Sequence, residues 1–294
     1  MNSYSKTKGW SWVPSLYFAE GLPYAFVMIV SVVLYKKLNI SNTEIALYTS
    51  WLYLPWVIKP LWSPFVDIIK TKRYWIVLTQ LVIGASLAGV ALTIPTTNAL
   101  QYTLVFFWLM AFSSSTHDIA ADGFYMLGLS SHDQSWFIGI RNTFYRFAIL
   151  FGQGIIVIIA GQLENITDNL KLAWSLVFGI LSGLFIILAA YHKWALPRPK
   201  NDQEEFNTAK EDIVKEYFEI IKAYFKKPQI LLIVLFILLY RFGEAQLVKI
   251  APLFMLDSYE SGGLGLSTSE YGFIYGTLGI AMLTLGGIVG GFFI

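Results

Sequence analysis

Eight charged side chains stand inside long apolar stretches of this chain: Glu20, Asp118, Asp122, Arg141, Arg146, Arg241, Glu244 and Lys249. An ionisable group at the centre of a membrane helix costs roughly 2.5–3.5 kcal/mol on insertion scales, so it is retained where it pairs, lines a cavity or moves a proton. Asp118 and Asp122 are four apart and share a helix face, with Ser114 one turn earlier. Arg241 and Glu244, three apart, can neutralise one another or open and close with a cargo or proton. A carboxylate that alternately pairs with a cation and releases it can load and unload a proton. The chemistry these residues suit is therefore binding and proton exchange.

Covalent chemistry lacks its parts. Cysteine is absent and the three histidines, His117, His132 and His192, are scattered. A ligand set of His117, Asp118 and Asp122 would use adjacent positions that splay apart on a helix, so no metal site is expected. No nucleophile sits with a base in a convincing arrangement. The chain is read as neither an enzyme nor a cofactor carrier, and nothing in it suggests nucleic acid.

The elements that must hold these charges are membrane helices. Apolar residues make up 56% of the chain, charged residues only 14%, and mean hydropathy is +0.58. The bilayer is the solvent for such a composition. About eight stretches are long enough to span: 11–35, 43–66, 74–95, 100–127, 138–162, 172–196, 228–256 and 269–294. Lys6, Lys8, Lys70, Lys72, Arg73, Lys193, Arg198, Lys200, Lys210, Lys215, Lys222, Lys226 and Lys227 gather in the N-terminus, the 67–73 loop and the 193–227 connection, against Lys36, Lys37 and Lys171 elsewhere. That bias puts the N-terminus in the cytoplasm.

The chain also repeats itself. Leu16-Tyr17, Glu20-Gly21 and Ser41-x-x-Glu44 are echoed by Leu239-Tyr240, Gly243-Glu244 and Ser267-x-x-Glu270. Each copy is an apolar segment with a buried charge, a loop, and a capping box that opens the next segment. An echo six spans apart marks two parallel halves. The expected organisation is a six-span N-terminal half (1–196), a cytoplasmic amphipathic linker (197–227) with Ile213, Tyr217, Phe218, Ile220 and Ile221 at helical spacing, and a partial C-terminal half of two spans (228–294), which reads as a truncated second half.

Depth brings the charges together. At 1.5 Å per residue, Glu20 and Asp118 lie about 14 Å from the cytoplasmic ends of their spans and Arg146 about 12 Å from its own, so all three can share one level. Gly21 and Pro23 are expected to loosen the first span beside Glu20, and Pro55, Pro60 and Pro64 to bend the second. Lys59 is expected to snorkel at the cytoplasmic end of the second span. The candidate substrate and proton-coupling residues are Glu20, Asp118, Asp122, Arg146, Arg241 and Glu244, with Tyr17, Tyr24, Trp51 and Tyr145 as aromatics that can stack on sugar rings.

Five strings carry a resemblance: Phe18-Ala19-Glu20-Gly21-Leu22-Pro23, Lys59-Pro60-Leu61-Trp62-Ser63-Pro64-Phe65-Val66-Asp67, His117-Asp118-Ile119-Ala120-Ala121-Asp122, Tyr145-Arg146 and Tyr240-Arg241-Phe242-Gly243-Glu244-Ala245. Together they resemble the AmpG-type muropeptide permeases of the major facilitator superfamily, from the first span to the last. The resemblance implies an all-α bundle of the major facilitator type, monomeric in an inner membrane, importing muropeptides of cell-wall recycling by proton symport. Another cargo of the same superfamily, such as acetyl-CoA, or a non-transporting sensor or scaffold are the alternatives.

Overall fold

A computed structural model describes residues 9–199, 202, 217–219, 222, 226–279 and 282. Most of the expected amphipathic linker and the last stretch of the eighth span lie outside the described residues. Within them the chain is helical: α1 (Val13–Lys37), α2 (42–68, broken), α3 (Lys72–Thr93), α4 (Ala99–Gly128), α5 (Ser131–Thr167), α6 (Leu170–Ala195), α7 (Ile230–Leu256) and α8, which opens at Thr268–Tyr271 and continues through Gly272–Leu278. α1, α3, α5 and α6 are long and apolar enough to cross a membrane by length and composition. α2 misses that standard because it is broken, α4 carries the polar run 113–118, three side chains of α7 are outside those described, and α8 is described only to 279 and at 282.

The helices start where the sequence provides caps. Ser41, Thr71, Ser130, Asn169 and Ser267 each accept a backbone N–H from three residues on. Each such cap contributes about 1 kcal/mol. Ser267 and Glu270 form the full reciprocal box, and Ser41 also donates to Glu44 at 2.6 Å.

The discontinuity falls in α2 and not beside Glu20. α1 continues through Pro23 with a wide turn at Phe26–Val30, whereas α2 resolves into Asn42–Trp51, Leu54–Ile58, a tight turn at Lys59–Leu61 and Ser63–Ile68. Pro55, Pro60 and Pro64 each open one of the later pieces, because proline supplies no N–H to the preceding turn. Gly21 instead permits contact: a Cβ there would sit 2.7 Å from the Tyr145 carbonyl oxygen.

Two apolar cores are stacked along the bundle. One, around Phe26, Tyr35, Phe107, Trp174 and Phe178, fills the end nearer the 38–41 loop; the other, around Trp12, Leu16, Ile76, Phe124 and Phe137, fills the opposite end. Glu20, Gln80, Ser114 and His117, all buried, are polar residues set among these cores. α3 packs along both α4 and α6, and α1 along α5.

α5 meets α8 almost backbone to backbone. A Cβ on Gly276 would lie 2.5 Å from both the Gln153 oxygen and the Gly154 Cα, atoms that cannot rotate away. Gly276→Val is therefore expected to destabilise the fold by about 1–3 kcal/mol, the usual cost of overpacking. A thermal midpoint in detergent, compared with Gly139→Val where nothing lies within 4 Å, checks it.

Candidate functional site

The break in α2 turns Tyr53, Trp56 and Lys59 inward, where they meet Glu20 and Tyr24 of α1, Ser114 and Asp118 of α4 and Tyr145 of α5 around a cavity of about 290 Å³. Glu20 is 7% exposed; its carboxyl lies within hydrogen-bonding reach of Asp118, and its Oε2 has no hydrogen-bond partner. Lys59 Nζ pairs with Asp118 Oδ2. Two carboxyls thus face one another, and one of them, Asp118, holds the ammonium of Lys59.

Lys59 is a correction to the expectation of a snorkelling side chain. Its stem does not run out to an interface, because the tight turn at Lys59–Leu61 redirects it toward α4. The proline spacing was the available signal.

A second cluster lies one turn further along α4. Arg141 NH1 binds Asp122 Oδ1 at 3.0 Å and donates to the Tyr17 hydroxyl at 2.9 Å, while that hydroxyl donates to Asp122 at 3.0 Å. The guanidinium also lies 4.8 Å from the ring centre of Tyr17 and 5.0 Å from that of Tyr125. Cation, anion and ring faces meet here, while Arg141 Nε is buried without a hydrogen-bond partner, and the cluster reads as a clasp between α1, α4 and α5.

The other expected residues fall as follows. Arg146 is exposed and does not join Glu20; Arg141 and Tyr145, four apart, face the site, and Arg146 is turned about 100° away. Tyr24 and Tyr145 line the cavity, Tyr17 belongs to the arginine clasp, and Trp51 is 58% exposed outside the cavity. Tyr24 packs edge-on to Trp56 with ring centres 5.4 Å apart, which makes one aromatic wall. Glu244 is exposed, and the Arg241 side chain lies outside the described residues. Lys249 donates to Thr49 at 3.2 Å, tying α7 to α2.

The end bearing the 38–41 loop is laced shut. Asp257, just past α7, accepts from Lys36 and, at 2.7 Å, from Asn42. Glu164 near the end of α5 binds Lys37 at 3.1 Å, Trp174 Nε1 at 2.7 Å and the Thr268 hydroxyl at 3.0 Å. Toward its other end α7 leaves residues 231–236 largely exposed. The hydrogen bond from Lys36 holds the Asp257 carboxyl below the ordinary carboxylate range. A depressed value stabilises the closed end above the ordinary pKa, about 4, and that contribution fades as pH falls through the lowered value. Proteolysis of the 257–267 loop should accordingly quicken only in acid, and Asp257→Asn should remove the pH dependence.

The sequence and the fold have counterparts. Residues 15–294 match the sequence profile of the Major Facilitator Superfamily. A protein of Rickettsia prowazekii named putative transporter AmpG 3 is 25% identical over 270 residues, covering 85% of this chain and 59% of that protein. The anhydromuropeptide permease of Escherichia coli K12 is 24% identical over 287 residues, covering 93% and 53% respectively. The chain thus spans somewhat more than half the length of these relatives. A crystal structure of a bacterial homologue of the human lysosomal transporter Spinster, inward-facing and unoccupied, superposes with a TM-score of 0.70 at 15% identity, over 100% of this chain and 63% of that one.

Proposed function

This chain belongs to the major facilitator superfamily, a family of membrane transporters, and we propose that it is a proton-coupled permease importing anhydromuropeptides, with its cargo site at the Glu20–Asp118–Lys59 cavity. The observation that carries the reading is the facing carboxyl pair with one lysine, set among buried packing and reached by the break in α2. A carboxylate beside a cation in poorly hydrated surroundings exchanges its proton when the pairing opens. Cargo or rotation of α2 can open it, because Lys59 sits on an irregular turn. The aromatic wall of Tyr24, Tyr53 and Trp56 beside the carboxyls suits a sugar ring, which presents an apolar face for stacking and hydroxyls for acceptors.

The positive-inside bias supports a cytoplasmic N-terminus in an inner membrane. In that orientation the laced end at Asp257 and Glu164 faces outward. We read the working unit as a monomer of two parallel halves: 1–196, a linker at 197–227, and spans from 228 onward. The names of the relatives supply the muropeptide; the cavity supplies the proton.

Uptake into proteoliposomes tests both parts. Labelled anhydromuropeptide should accumulate under an inward proton gradient and stop accumulating when a protonophore is added. Uptake indifferent to the protonophore removes the coupling, and accumulation of acetyl-CoA in place of muropeptide removes the cargo.

A further inference from the structure

We propose that a chain of polar side chains, Ser15–His192–Gln80–His117, is a register lock for α4 that determines the direction in which Asp118 faces. Each member comes from a different helix: Ser15 from α1, His192 from α6, Gln80 from α3 and His117 from α4. Ser15 Oγ lies 3.0 Å from His192 Nε2, His192 Nδ1 lies 3.0 Å from Gln80 Oε1, and Gln80 Nε2 lies 2.9 Å from His117 Nε2. Gln80, His117 and His192 are fully buried. With the amide so placed, Gln80 accepts from His192 Nδ1 and donates to His117 Nε2, and His192 Nε2 faces the Ser15 hydroxyl.

A buried polar group is satisfied in one arrangement of its neighbours and orphaned in others, and for that reason single polar residues fix register in packed helices. α4 has particular need of such a device. Its inner face at this level is Ser113, Ser114, Ser115, Ala120 and Ala121, side chains too small to pin a helix by shape. The ring of His117 hangs on one bond: its Nδ1 is buried without a partner, so losing Gln80 would leave both ring nitrogens unsatisfied. Gln80 itself is held firmly, since Ser182 of α6 donates to the Gly84 carbonyl of α3 at 2.8 Å one turn away.

The consequence for the site is angular. Successive residues of a helix are 100° apart, so fixing the ring of His117 toward α3 turns Asp118 toward Lys59, with Ser114 and Asp122 on the same face. A slip of one position would set a carboxyl opposite the Gln80 amide and an isoleucine, Ile119, opposite Lys59. His117, Gln80 and His192 are thus positioning residues for the cargo site. The role rests on the cavity being that site, but orientation is measurable without transport.

The chain has no cysteine, so single cysteines report cleanly. Placed one at a time from 110 to 126, omitting 117, and treated with a water-soluble maleimide in open membranes, they should label with helical period and a maximum on the Ser114–Asp118–Asp122 face. In Gln80→Leu and His117→Leu backgrounds the contrast between that face and the Ser113–Ala120–Ala121 face should fall roughly tenfold, the population change that one buried hydrogen bond controls. His117→Gln, which can still accept from the amide, should keep the contrast. An unmoved maximum in both leucine backgrounds, or rates raised equally on all faces, overturns the proposal, as does loss of contrast in His117→Gln equal to that in His117→Leu. Should the leucine variants fail to accumulate, Gln80→Asn, too short to reach both rings, decides: a shifted or flattened pattern supports the lock and an unchanged one refutes it.

Discussion

Glu20→Gln and Asp118→Asn are each expected to abolish uphill accumulation of cargo while leaving the protein inserted and folded. Either amide keeps the shape of the side chain and removes a group that can take and release a proton. The two carboxyls face one another and Asp118 holds the lysine, so neutralising either one leaves a single ionisable carboxyl in the cavity. The pair then has no spare proton to pass. Counterflow, the exchange of labelled for unlabelled cargo without a gradient, separates coupling from binding. It should survive in Asp118→Asn or Glu20→Gln where accumulation does not. Normal accumulation in both variants would remove these carboxyls from the coupling step, whatever the cargo.

The features easiest to read from the sequence were those that obey a period or a local rule. Ser41 and Ser267 open helices because a short polar side chain answers a backbone N–H three residues on, a relation contained in four consecutive positions. The apolar stretches gave α1 to α8 to within a few residues at most ends, since the length of a membrane helix is set by the bilayer. The harder features depend on which way a side chain points. Glu20 and Asp118 were placed by depth along a helix, which sequence gives; Arg146 was placed by depth too, and it is exposed, whereas Arg141 five residues earlier reaches Asp122. Lys59 escaped because three prolines convert a helical reading into a turn, and the new direction follows from the particular sequence of pieces. Gln80 and His192 carry no motif at all. Their meaning appears only when α3 and α6 are brought against α4, where two buried rings and one amide satisfy each other across gaps of 37 and 112 residues.

The ion pair between Lys59 and Asp118 leads to the sharpest test of the site. Lys59→Met removes the cation facing the carboxyl pair while keeping a side chain of similar length. A buried pair that loses one member typically costs about 3–5 kcal/mol; Lys59 is 36% exposed on its side chain, so solvent relieves part of this and about 1–3 kcal/mol is expected. Adding Asp118→Asn should return most of that loss, because an amide needs no counter-charge. The double variant should therefore be folded, close to the parent in thermal midpoint, and unable to accumulate cargo. A lysine that merely anchored α2 at an interface would behave differently: its loss would be as costly in the Asp118→Asn background as in the parent, and the two substitutions would add. The interaction energy from this cycle, read from thermal midpoints and set beside uptake in the same four proteins, decides whether Lys59 belongs to the cavity or only to the fold around it.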